Sequence, residues 1–263
     1  MADSPLPRSP LAANFDFAEA APIRPIAPEE LARTLAAHER YVESAQRSGK
    51  RANLDSADLA GKIFAGMKLR RIRLCRANLT ESDFAGADLR RALLIGATLK
   101  RGCLAAADLT RGRLGGINMA GADCAGVRLA EADVEFGILA NADLRDADCR
   151  DADMSGAVLD GADLRGADLR RTNLRGASFQ KTRLGGADLR EARMGGAIFA
   201  HTSFAGADLR GAYLRAAKFR RVDLSGADLR GAQGLTREQI DNAIRDANTR
   251  LPPGLSAEME DGE

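Results

Sequence analysis

The chain has 263 residues, 45% hydrophobic but only 4% aromatic, with 39 basic and 37 acidic side chains and a net charge of +2. Four cysteines in this length do not make a disulfide framework, and no apolar run approaches the ~18 residues of a membrane span. Charge is unevenly spread: residues 49–233 hold 31 basic and 23 acidic side chains, a sum of +8 between acidic ends.

In chain order, residues 1–27 contain five of the eight prolines and no periodicity, and read as a flexible tail without a secretory h-region. Phe15 and Phe17 in it suit either a binding peptide or a leader. Residues 28–49 read as a capping helix with Leu31, Leu35 and Val42 on one side. From Leu54 to Leu229 every fifth residue is apolar at thirty-six consecutive positions, usually Leu. Ala usually stands two before, Asp or Asn one before, and Gly is common two after, as in Ala162 to Gly166.

A five-residue period fits neither a helix nor a flat strand, so the chain must turn a corner once per unit. Four units per coil put residues 20 apart above one another. Phe64 with Phe84, and Phe179 with Phe199 and Phe219, keep that spacing. So does an outer column of Arg70, Arg90, Arg150, Arg170, Arg190, Arg210 and Arg230. The reading is an all-β solenoid over residues 50–233, about nine coils and about 43 Å long at roughly 4.8 Å per coil. Residues 234–255 read as a C-terminal capping or dimerisation helix with a capping box at Thr236 and Gln239 and an apolar face of Ile240, Ala243 and Ile244. Residues 256–263 read as an acidic disordered tail.

The run A-D/N-L-x-x resembles the pentapeptide-repeat family. The resemblance implies a right-handed quadrilateral β-helix, and in some members a C-terminal helix joins two rods, so a homodimer is one expectation here. Some members imitate duplex DNA and bind type II topoisomerases, protecting them from quinolones. Such a mimic should be strongly negative, which the +8 rod opposes.

Little in the chain suggests chemistry. His38 and His201 read as ordinary surface residues, no Cys or His pair has zinc spacing, and the Gly residues keep the five-residue beat rather than forming a phosphate loop. No catalytic residue, metal or cofactor is expected. Cys124 and Cys149 occupy core positions, Cys75 and Cys103 outer ones, and a reducing cytoplasm suits all four. Two surfaces invite a partner. The Arg column lies beside Asp88, Asp108, Asp148, Asp168, Asp188, Asp208 and Asp228, thickened by Arg71, Arg91, Arg111 and Arg171. It reads as a self-compensated face or as a ladder for an acidic partner. Phosphate binding through it would be blunted by the Asp, so nucleic acid is disfavoured. Ile138, Val158 and Ile198, with Phe136 at the adjoining corner, read as an apolar contact strip. The expected function is a non-catalytic protein–protein interaction scaffold with an unidentified protein partner. The alternatives are the topoisomerase-binding mimic and nucleic-acid binding through the Arg ladder.

Overall fold

The computed structural model describes residues 22–255, and its architecture grows from what one pentapeptide does. The carbonyl of nearly every core residue accepts the N–H three residues on, as Leu54 does from Ala57 at 3.1 Å, and the chain turns. Two residues after the core position the backbone is left-handed, with φ 58° at Arg91 and 66° at Gly121. That region costs an L-residue roughly 1–2 kcal/mol, which accounts for the frequency of Gly there.

The remaining backbone groups point along the rod axis. Leu54 donates to the carbonyl of Arg73 at 2.8 Å, and Arg73 donates to that of Ala52 at 3.1 Å. Parallel bridges Asn53 to Arg73, Arg73 to Leu93 and Leu93 to Arg113 repeat the pattern one coil at a time. The 20-residue rung expected from the Phe and Arg columns is therefore the spacing of the backbone pairs. We number the sides by their core residues: Leu54 and Leu74 on the first, Leu59 and Leu79 on the second, Phe64 and Phe84 on the third, Leu69 and Leu89 on the fourth. Sides this short yield mostly single bridges. Among the described residues only β1 (Ile198–Ala200) and β2 (Lys218–Arg220) extend to three paired residues, with Phe199 opposite Phe219.

Inside, the Leu of every unit and the Ala two before it are buried almost without exception. The rings of Phe64 and Phe84 stack at 4.6 Å, and those of Phe179 and Phe199 at 5.1 Å. Phe219 continues that edge in a T-shaped contact at 5.4 Å. Where a hydroxyl replaces the second-position Ala, a backbone carbonyl receives it: that of Leu79 in the same coil for Ser82, at 2.6 Å, and one coil below for three threonines. Thr172 donates to Cys149, Thr182 to Leu159 and Thr202 to Phe179, at 2.7, 2.8 and 2.6 Å. Buried polar groups are tolerated only on these terms.

The N-terminal end departs from expectation twice. Residues 22–27 belong to the fold: Arg24 donates to Ser56 and accepts from Asp58, both at 2.8 Å, along the lower edge of the first coil. The rest of the expected tail, with Phe15 and Phe17, lies outside the described residues. Helix α1 (Pro28–Glu43) follows, and His38, expected at the surface, is fully buried beneath it. The reason is periodicity, since Leu31, Leu35 and His38 share the stripe that faces the rod. The Ala52 N–H donates to His38 Nδ1 at 3.1 Å. Gly49 makes the joint between helix and rod with φ 79°, where a β-carbon would come 2.4 Å from the Ala37 carbonyl.

At the other end α2 spans only Arg237–Asp241, not the helix expected over 234–255. Its capping box forms as expected, and Ile240 is buried. Before, within and beyond it the chain makes a further extended turn. Gln233 pairs with Tyr213, Ile244 with Asp223 and Arg250 with Asp228, while Gln239 Nε2 donates to the Ala217 carbonyl at 2.6 Å. All four sides of the last coil thus have a backbone or side-chain partner. Ile244 serves as a strand partner rather than on a helical face, and is 60% exposed. Residues 256–263 lie outside the described residues.

Leu164 is fully buried. Leu164→Asp places an unpaired carboxylate in a dry core and is expected to cost several kcal/mol, on the order of 3–5; a thermal melt indistinguishable from wild type would refute the inward assignment. Burial, with the Arg51 charge adding to it, holds the His38 pKa below the ordinary imidazole value. The unfolded chain then takes up this proton first, so stability should fall as pH drops below about 6.5. Melts from about pH 7.5 to about 5.5, roughly spanning that imidazole range, should show a smaller loss for His38→Gln.

Candidate interaction surfaces

The Asp or Asn before each core residue has a local task. Its side-chain oxygen accepts the N–H two residues on: Asp148 from Arg150 at 3.2 Å, Asp168 from Arg170 at 3.2 Å, Asn78 from Thr80 at 3.2 Å. These are Asx turns that hold the corner. The residue preference of that position is thereby explained.

On the fourth side the same carboxylate also takes a guanidinium. Arg150 Nε lies 2.8 Å from Asp148 Oδ1 and its Nη2 2.7 Å from Oδ2, a bidentate fork within one unit. Arg90, Arg170, Arg190, Arg210 and Arg230 repeat it with Asp88, Asp168, Asp188, Asp208 and Asp228. The next coil adds longer contacts, such as Arg150 to Asp168 at 3.6 Å and Arg170 to Asp188 at 3.5 Å. Arg70 is held most loosely, 3.9 Å from Asp88, because Lys68 replaces Asp in its own unit and pairs with Glu43 of α1. The column expected from the sequence is therefore one charge ladder in which each forked guanidinium is already engaged. The hydrogen bonds from Arg150 hold Asp148 below the usual carboxylate range against the opposing effect of burial.

The apolar strip survives in part. Ile138 and Val158 are bridged neighbours on the second side, and Ile138 is 39% exposed. Phe136 sits at the corner between first and second sides with φ 54°. Its ring covers Gly156 one coil on, where a β-carbon would come 2.5 Å from it. Ile198 does not join them. Ser178 separates it from Val158, and at 5% exposure it is covered by its neighbours in the ladder.

Two hollows indent the first side. The larger, of about 1080 Å³, mixes Asp151, Asp153 and Glu191 with Arg171, Arg175, Arg193 and Arg215 beside Tyr213. The smaller, of about 360 Å³, is lined by Arg51, Arg71, Arg91, Arg111, Arg113 and Leu93. Three of these arginines were visible in sequence as a thickening of the fourth side, whereas Arg51 and Arg113 were missed. The signal for Arg51 was present, since it extends the same 20-residue run.

Reactive groups are subdued. Burial pushes the Cys149 thiol up to about 12 and Cys124 up as well, the reverse of an activated thiolate. Cys75 and Cys103 are half-buried, and His201 stands exposed at a corner. Among the described residues no three His, Cys, Asp or Glu converge as metal ligands, and no helix is long and apolar enough to cross a membrane.

A family model for pentapeptide repeats matches the chain in eight copies between residues 63 and 232. No curated protein matches it. Among solved structures, HetL from the cyanobacterium Nostoc sp. strain PCC 7120, a pentapeptide-repeat protein involved in regulating heterocyst differentiation, is 26% identical. The match covers 86% of this chain and 94% of HetL with a TM-score of 0.31. QnrB1, a plasmid-mediated fluoroquinolone resistance protein, is 21% identical over 72% of this chain and 90% of its own, with a TM-score of 0.29. Rfr23 from the cyanobacterium Cyanothece 51142 is 24% identical over 45% and 63%, with a TM-score of 0.20.

Because the ladder is half exposed, Arg150→Ala should cost little stability. Asp148→Ala also strands the Arg150 N–H and should cost more, roughly 1–2 kcal/mol; paired denaturant titrations give the order. Asp148, with its folded pKa depressed, contributes stability above about pH 4 that is lost as pH falls through the folded value. Asp148→Ala should lack that acid-side loss.

Proposed function

The chain belongs to the pentapeptide-repeat family of right-handed quadrilateral β-helices, and we propose that it is a non-catalytic protein–protein interaction scaffold. In this reading a rod of about nine coils presents Phe136, Ile138 and Val158 to a protein partner. The observation that carries it is the seating of Phe136 on Gly156 beside exposed Ile138. An aromatic anchor held in place on a ladder-paired backbone loses little freedom on binding, and such anchors supply much of the energy of protein interfaces. A polar surround makes the patch distinct: Asp160, Asn141 and Glu135 flank it in sequence.

The Arg ladder supports a contact less well, because an acidic partner or a phosphate would have to displace Asp from forks that are already made. The same competition weighs against nucleic acid, and the +8 of residues 49–233 weighs against a DNA mimic. A homodimer through the C-terminal segment draws support only from exposed Ile244 and ranks below the corner patch.

The test is a photo-crosslinking amino acid placed at position 138, 158 or 190 and irradiated in the native cell. A single protein should be captured from 138 and 158 and not from 190. Excess unlabelled wild type should suppress the capture, and an Ile138→Asp competitor should not. Capture from 190 alone, or none from 138 and 158, would reject the patch as the contact.

A further inference from the structure

The corner between the fourth and first sides carries Arg51, Arg71, Arg91 and Arg111 at one-coil intervals, with no acidic residue in that column until Glu131. Roughly 4.8 Å separates successive backbones in such a stack. Elsewhere the rod does not leave stacked arginines without carboxylates, as the fourth side shows. Here only Arg111 has a carboxylate partner: its Nε and Nη2 take both oxygens of Glu131 at 2.8 and 3.0 Å. Arg51 donates to the Arg71 carbonyl and Arg71 to Gln46 Oε1, both neutral acceptors. Arg91 and Arg113 form no ion pair among the described residues, although the field of Glu131 reaches Arg91.

Conformation adds to the cost of this arrangement. Arg71, Arg91 and Arg111 hold φ of 64°, 58° and 58°, a left-handed backbone shared by Glu131, Asp151, Arg171 and Glu191 further along the same corner, before Gly211 and Gly231. Left-handed corners suit Gly, so three arginines there oppose both backbone preference and mutual repulsion. Their side chains border the 360 Å³ hollow over Leu93, which stands where most units have a polar residue. A second hollow of about 180 Å³ shares Arg71 and Arg91 and is walled by Tyr41, Val42, Ala45 and Gln46 at the end of α1. The two adjoin at Arg71 and Arg91, and we treat them as one cleft, cationic on the rod side and partly apolar on the helix side.

We propose that this cleft binds a compact polyphosphate anion. The guanidinium fork matches phosphate oxygens in bidentate geometry, and a run of forks one coil apart suits several phosphates in series. Length limits the ligand. Glu131 and Asp151 follow in the column on one side, and α1 stands at the other, so a long polyanion tracking the corner would meet carboxylates after four arginines. The phosphates belong either to an inorganic chain or to a nucleoside polyphosphate whose base lies toward Tyr41. The site is separate from the Phe136 patch, which lies at a different corner in a later coil, and the two readings fail independently.

Isothermal titration of the full chain with inorganic tripolyphosphate, in about 0.1 M salt where surface charges beyond a Debye length are screened, tests it. One ligand per chain is expected, weakened at least roughly tenfold by Arg91→Ala with Arg113→Ala. Arg190→Ala, on the compensated ladder, should bind as wild type, and circular dichroism should show the variants folded. ATP binding equal to tripolyphosphate assigns the inorganic chain. Tighter ATP binding that Tyr41→Ala reduces to the tripolyphosphate level assigns the nucleoside form. No binding, equal weakening by Arg190→Ala, or tighter binding of a single-stranded oligonucleotide or a poly-glutamate peptide would overturn the proposal.

Discussion

Everything in this rod depends on one backbone constraint: each pentapeptide must leave its N–H and C=O groups pointing up and down the axis, where only another coil can pair them. A strand in a sheet meets that requirement along many residues. Here the sides are so short that most pairs are single bridges, and β1 with β2 is the longest stretch. Regularity replaces length. A deletion of one residue would shift every later corner off its partner, which is a physical reason for thirty-six units without an insertion.

The Asp column shows how one side chain can serve local and longer-range structure together. Its first oxygen closes an Asx turn, so the corner holds even where Gly is absent, and its remaining lone pairs accept a fork from Arg two residues later. The charge ladder follows from the turn. It engages the very arginines that sequence alone presents as a docking ladder. Charge that is locally compensated is a poor recruiter of anions, while charge left without a carboxylate partner is not. The contrast between the fourth side and the Arg51–Arg111 corner is therefore one of partners rather than of arginine number.

The ends obey the same rule by other means. Open solenoid edges invite further strands. At the N-terminus the segment around Arg24 pairs with the lower edge and α1 covers the core, with His38 accepting the Ala52 N–H. At the C-terminus an irregular turn supplies Gln233, Gln239, Ile244 and Arg250 as partners for successive sides. The five-residue helix α2 is a small part of that closure.

The solenoid, its coil period, the inward Leu and Ala columns and the Phe stacks are legible in the chain because each is a periodic signal repeated many times over, and the helix at Pro28 because its apolar stripe is local. The sequence also placed Phe136, Ile138 and Val158 near one another, since 20-residue arithmetic carries through to the outer surface. Tertiary structure decided whatever depends on a single neighbour. His38 is buried because it falls on the stripe of α1 that meets Ala52, and Ile198 is covered because of the side chains beside it, facts no period encodes. The same holds for the arginines. The spacing assigns each to a column, but which are engaged and which stand free depends on the carboxylates a few ångströms away in three dimensions.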